Sequence, residues 1–204
     1  MQAKHCELLN GTKEISPIEL PGPMEQLLLR LYSDVTHHEG VALVGGCLRD
    51  LMHGAEPKDV DVALYGMSQR RAEQLVAGML GFLDPLVFRA GGWSSQYADC
   101  GDSGIFVGVL QLVGCRGLNG YDVDFNYYNA GSLGRVLESF DFTINQVATA
   151  YHWPDPEGGP ELGTYLHKDV IWGVNKEVGS GSRRPERREK MLAKAANYGW
   201  ENAR

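Results

Sequence analysis

"VALVGGCLRDLMHGAEPKDVDVALYG" (Val41–Gly66) joins a β-branched apolar run, a Gly-Gly pair, an Arg-Asp pair and the alternation Asp59-Val60-Asp61-Val62. "VALV" (41–44) predicts a strand, "GCLRDLMHG" a short helix closed at Gly54 by a left-handed cap, and "DVDVAL" (59–64) a second strand. Side chains alternate across a strand, so Asp59 and Asp61 share one face while Val60, Val62 and Leu64 point to the core. Two carboxylates that close repel unless they are protonated, hydrogen-bonded or bridged by cations. A solvated edge strand would relieve them; so would Mg²⁺, which binds through a few carboxylates plus substrate phosphates.

A second acidic strand, "YDVDFNYY", holds Asp122 and Asp124, again two apart, and either could supply a third carboxylate. Two ions about 3.5–4 Å apart would then clamp the attacking and leaving oxygens of a phosphoryl or nucleotidyl transfer. Gly45 and Gly46 end a strand and open a helix, which permits close backbone approach by a phosphate. Lys58 adds a cation beside Asp59 that could meet phosphate or balance the acids.

The rest of the chain reads as one mixed α/β domain. Its 204 residues suffice for a single core plus an appendage, and no apolar run is long enough to span a bilayer. The N-terminus lacks a signal pattern, and Cys6, Cys47, Cys100 and Cys115 lack metal or disulfide rhythm, which together point to the cytoplasm. Residues 1–22 read as a loose lead-in, 23–168 as the main domain and 169–204 as a partial helical neck. A helix starts at Pro23 with Met24, Leu27, Leu28, Leu31 and Val35 inward, and His37-His38 close it. Ser68 caps a helix that buries Leu75, Val76 and Met79. "PLVF" reads as a strand, and "RAGGWSSQYADCGDSG" as an exposed loop in which Asp99 and Asp102 are decoration. "IFVGVLQLVG" pairs with "YDVDFNYY" as a hairpin, and Trp93, Tyr97, Tyr127 and Tyr128 suit the core or a pocket rim. "SLGRVLESF" reads as a helix, "DFTINQVATAY" as a buried segment, and His152 and His167 have no visible partner. The net charge is −7, yet Arg183–Arg204 holds seven basic and three acidic residues on a helix set beside the domain as an appendage.

"VGGCLRDLMHGAEPKDVDVAL" resembles the signature of the bacterial-type poly(A) polymerases and the second class of CCA-adding tRNA nucleotidyltransferases, within the polymerase-β-like superfamily. "FDFTINQVATAY" is similar to that family's Arg-Asp-Phe-Thr-Ile-Asn segment, and "HKDVIWGVNKEVGSGSRRPERREKMLAKAANYGW" to its crossing into a helical neck. The resemblance implies a nucleotidyltransferase head, with a mixed twisted sheet and flanking helices. It implies Mg²⁺, as two ions, on Asp59 and Asp61 with Asp122 or Asp124. The triphosphate of an NTP would lie on Gly45 and Gly46, with Arg49 and Lys58 supporting phosphate or the loop. Asp141 and Asn145 would lie near the ribose, and Arg187 and Lys190 would face the base and phosphates.

The chain departs from that pattern in three places. Phe140 stands where the family has an arginine, and Arg184 where it has a base-reading aspartate. The family's helical body and tail, which grip tRNA, are expected to have no counterpart within these 204 residues. The expected reaction is transfer of NMP from an NTP to an acceptor hydroxyl, an RNA or tRNA 3′ end, with pyrophosphate released. Transfer to a protein or small molecule is the alternative, as is a non-catalytic nucleotide- or RNA-binding module. A protein partner or a second copy would replace the body, and no membrane partner is expected.

Overall fold

The computed structural model describes residues 7–94, 104–153, 159–178 and 185–203. Cys6, Tyr97, Asp99, Cys100, Asp102 and Arg184, and the side chain of Trp93, lie outside the described residues. Ten strands are described: β1 (Thr12–Ile15), β2 (Gly40–Val44), β3 (Asp59–Tyr65), β4 (Pro85–Ser94), β5 (Phe106–Cys115), β6 (Tyr121–Tyr128), β7 (Val147–His152), β8 (Glu161–His167), β9 (Val174–Asn175) and β10 (Glu201–Asn202). The helices are α1 (Gly22–Asp34), α2 (Gly46–Met52), α3 (Gln69–Leu83), α4 (Leu133–Glu138) and α5 (Pro185–Asn197). Eight strands form one mixed sheet in the order β1-β8-β7-β2-β3-β6-β5-β4, while β9 and β10 pair separately. Every neighbouring pair in the large sheet is antiparallel except β3 and β6, which run parallel.

The alternation of β3 explains why the sheet is two-faced. Val60, Val62 and Leu64 enter a core formed with Met24, Leu27, Leu28 and Leu31 of α1 and Ala72, Val76 and Met79 of α3. On the other face Ala63 and Tyr65 pack under Leu133, Val136 and Leu137 of α4. That short helix covers only the later half of β3, so the face carrying Asp59 and Asp61 stays accessible.

Most expected elements form, among them the Ser68 cap, whose hydroxyl accepts from the Arg71 N–H at 3.3 Å. Others differ. Thr12–Ile15, expected within a loose lead-in, adds an edge strand to β8, a pairing whose partner lies some 150 residues away in sequence and leaves no local signature. α1 ends at Asp34, so His37 and His38 fall beyond its last turn. There the Glu39 N–H donates to the Thr36 carbonyl and the Glu39 carboxylate accepts from the Thr36 N–H, a local turn that replaces helix. β4 runs on to Ser94, past the end of "PLVF". His152 and His167 do find partners, the Tyr165 hydroxyl at 2.8 Å and the Asp169 N–H at 3.4 Å. No helix among the described residues is long and apolar enough to cross a membrane.

Gly40 pairs with Tyr65 across β2 and β3, and a Cβ there would sit 2.1 Å from the buried ring. Gly40→Ala should lower stability by about 1–3 kcal/mol in urea unfolding. In a Tyr65→Ala background the same substitution should lose most of its effect, because the ring it strikes is gone.

Candidate active site

The parallel register sets Asp59 beside Asp122 and Asp61 beside Asp124. All four therefore share one face, but they do not share one environment. Asp59, Asp61 and Asp124 line a cavity of about 510 Å³. Asp122 instead accepts from the Gly114 N–H at 2.8 Å and lines an adjoining hollow with Glu56 and Tyr121. The two environments differ because the register shifts between Leu112 and Cys115, where the Gly114 amide meets Asp122. A larger hollow of about 570 Å³, at Ser16–Pro21, Leu51, Met52 and Trp172, holds Glu19 and no cation, so its chemistry is poorer.

Burial and neighbouring negative charge raise the proton affinity of Asp61 and Asp124. Burial, then Asp59 and Asp124, push Asp61 up to about 7, against an opposing hydrogen bond from Asn126 (3.4 Å) and the charge of Arg187. Burial also raises Asp124, which Gln111 opposes with an N–H donated at 2.9 Å. Cys47 beneath them is fully buried and pushed up to about 12, first by burial and then by Asp61, so it is a protonated thiol. Among the described residues no three His, Cys, Asp or Glu side chains close into a ready metal cluster. The donor set nonetheless fits a hard divalent cation that keeps several waters: all-oxygen, anionic and mutually repelling until neutralised.

Gly45 turns the chain into α2 at φ 72°, a left-handed conformation that suits glycine. A Cβ there would lie 2.9 Å from the Phe140 ring and 3.7 Å from Asp61 Oδ2, so only glycine lets the turn sit this close to both. Of the pair, Gly46 lines the cavity. Lys58, Arg187, Lys190 and Lys194 supply cationic lining, the last three from α5, and Phe106, Tyr128 and Phe140 an aromatic part. Tyr127 is core, its hydroxyl donating to the Met67 carbonyl.

Arg49 is buried and internally engaged. Its Nη1 donates to Asn145 Oδ1 at 2.6 Å and its Nε to Asp50 Oδ1 at 2.7 Å. Arg49 also lines the cavity, so its guanidinium joins the buried Asp50–Asn145 network to the site. Asp50 also accepts from Lys194 Nζ (2.7 and 3.0 Å) and the Tyr198 hydroxyl (3.0 Å), and these donors outweigh burial to hold its carboxyl below the usual range. Asp141 is gripped by Arg187 through Nε and, at 3.0 Å, Nη2. The terminal helix is thus no appendage, because two of its cations bind buried carboxylates of the main domain. Sequence reading assigned no role to Asp50, Lys194, Tyr198 or Asn126. Met191, Lys194, Ala195 and Tyr198 fall at the i, i+3, i+4, i+7 spacing of one helix face, and Asn126 continues the Asp122-Asp124 stripe, so a signal was present.

No protein-family model matches the chain, and no curated protein does. Solved structures do. A CCA-adding enzyme with ATP aligns at 17% identity and TM-score 0.58, over 96% of this chain and 43% of that one. An apo CCA-adding enzyme aligns at 17% and 0.60, over 96% and 44%. The Thermotoga maritima CCA-adding enzyme complexed with tRNA aligns at 16% and 0.57, again over 96% and 44%. These likenesses establish a shared fold, and the chain spans less than half the length of each.

Asp61 and Asp124, both raised, contribute to stability in the opposite sense to Asp50, which is lowered. Asp61 binds its proton more tightly folded than unfolded, so without divalent cation stability should fall as pH rises from about 4 to about 7. Asp50 has a lowered folded value, so its stabilisation is present above about 3.9 and is lost as pH falls through that lower value. Melts in chelator across this range should show both limbs. Asp61→Asn should flatten the upper one, and Asp50→Asn should remove part of the acid one.

Proposed function

We propose that this chain is a divalent-cation-dependent nucleotidyltransferase that moves NMP from an NTP to the 3′ hydroxyl of an RNA acceptor of the tRNA kind, releasing pyrophosphate. The observation that carries the reading is the meeting of three carboxylates, Asp59, Asp61 and Asp124, with a cationic wall in one cavity. The fold shared with CCA-adding enzymes, one of them bound to ATP and one to tRNA, supports the substrate classes.

Asp59, Asp61 and Asp124 would hold Mg²⁺, which when bound neutralises the carboxylates and the phosphate oxygens. Lys58 and Lys190, both exposed at the cavity, attract the triphosphate and balance the charge of the departing pyrophosphate. The backbone of Gly45-Gly46 lets a phosphate approach closely beside Asp61. Arg187 and Asp141, held together at the cavity's edge, form a rigid polar pair against which the nucleoside is oriented. The acceptor oxygen attacks the α-phosphorus, the bond to the bridging oxygen breaks, and the proton of the attacking hydroxyl passes to a site carboxylate or to water. Rate arises from positioning and charge neutralisation more than from covalent chemistry.

The test offers each α-labelled NTP with Mg²⁺ and a tRNA pool to the purified protein. Label should appear on RNA and fall at least about a hundredfold in the Asp59→Asn/Asp61→Asn double variant. Label on a protein or a small molecule instead would replace the acceptor. NTP binding with no transfer of any label would make the chain a binding module.

A further inference from the structure

Asp61, Asp124, Gln111 and Arg89 form one row across four adjacent strands. Asp61 is level with Asp124 between β3 and β6, Asp124 with Gln111 between β6 and β5, and Gln111 with Arg89 between β5 and β4. Level residues on paired strands point to the same face, so the four side chains run side by side from the cavity to the sheet edge. The contacts follow the row: Arg89 Nη1 donates to Gln111 Oε1 at 3.0 Å, and Gln111 Nε2 donates to Asp124 Oδ1 at 2.9 Å.

The chemistry of the row gives it a direction. A guanidinium only donates and an ionised carboxylate only accepts, so the amide between them satisfies both in a single orientation. Arg89 fixes the Gln111 carbonyl outward, and this turns the amide N–H toward Asp124. One oxygen of Asp124 is thereby engaged by a neutral donor, and the carboxylate has a set rotation with the other oxygen left for the cavity. Gln111 does not line the cavity itself, and Arg89 is exposed on the edge strand.

We propose that Gln111 is a positioning residue that orients Asp124 for the divalent cation, and that Arg89 acts through it by locking the amide. This rests on the reading of Asp59, Asp61 and Asp124 as the cation site.

The test measures Mn²⁺ binding to the full chain by the electron paramagnetic resonance of the free ion, alongside melting temperature. Gln111→Ala should weaken binding by about tenfold, with little change in melting. Arg89→Lys, still purely a donor, should retain the affinity of the parent. Arg89→Glu separates the relay from simple electrostatics. An added negative charge near the site would by itself tighten cation binding. In the relay it accepts from the amide, turns the Gln111 carbonyl toward Asp124, and weakens binding about as much as Gln111→Ala. The double variant Gln111→Ala/Arg89→Glu should be no weaker than Gln111→Ala alone, since without the amide the new carboxylate has no group left to turn. Tighter or unchanged binding in Arg89→Glu, with Asp61→Asn still abolishing it, overturns the relay and leaves the cation site standing. If Asp61→Asn leaves Mn²⁺ affinity unchanged, the cation site falls and the relay with it.

Discussion

The parallel pairing of β3 with β6 is the constraint around which the molecule is arranged. It is the sole parallel contact among the described strands of an otherwise antiparallel sheet, and it sets two Asp-x-Asp strands level with each other. Four carboxylates on one face would destabilise a closed core. The fold answers in three ways. It leaves that half of the face uncovered by α4, ties Asp122 to a backbone N–H, and supplies neutral donors, Asn126 and Gln111, to Asp61 and Asp124. The remaining repulsion is kept, concentrated on Asp61. Repulsion of this kind costs stability for as long as no cation neutralises it.

The second organising element is Asp50. It lies at the end of α2, one short helix beyond the glycine turn, and binds Arg49, Lys194 and Tyr198. Through Arg49 the same network reaches Asn145, and through His53, stacked on Tyr198 at 4.3 Å, it reaches Trp200. A buried carboxylate with several charged donors strongly resists removal of any one of them. α5 is therefore held where its lysines and Arg187 face the acidic strands. The geometry of the cavity depends on this clamp as much as on the sheet.

Much of this was legible in the residues. The alternation of β3 announces which side of the strand is polar, because period two is a property of the backbone and needs no partner. The glycine turn is readable for the same reason: φ at Gly45 is a local demand that few other residues meet. The helices appear from the spacing of Met24, Leu27, Leu28 and Leu31, and of Leu75, Val76 and Met79. Where local bonds compete, as in the Thr36–Glu39 turn, periodicity runs past the true end of the helix. The edge strand Thr12–Ile15 is unreadable because its polar side chains obtain strand structure only from β8.

The sequence by itself determined the acidic strands, the glycine turn between strand and helix, and the faces that must be buried, since each follows from backbone geometry within a few residues. Tertiary structure alone decided which carboxylates share the cavity, that Arg49 serves Asp50 and Asn145, and that Gln111 and Arg89 stand behind Asp124. Those are matters of register between strands far apart in the chain. A register is chosen by the sum of all the packing across the sheet, and no single stretch contains that sum.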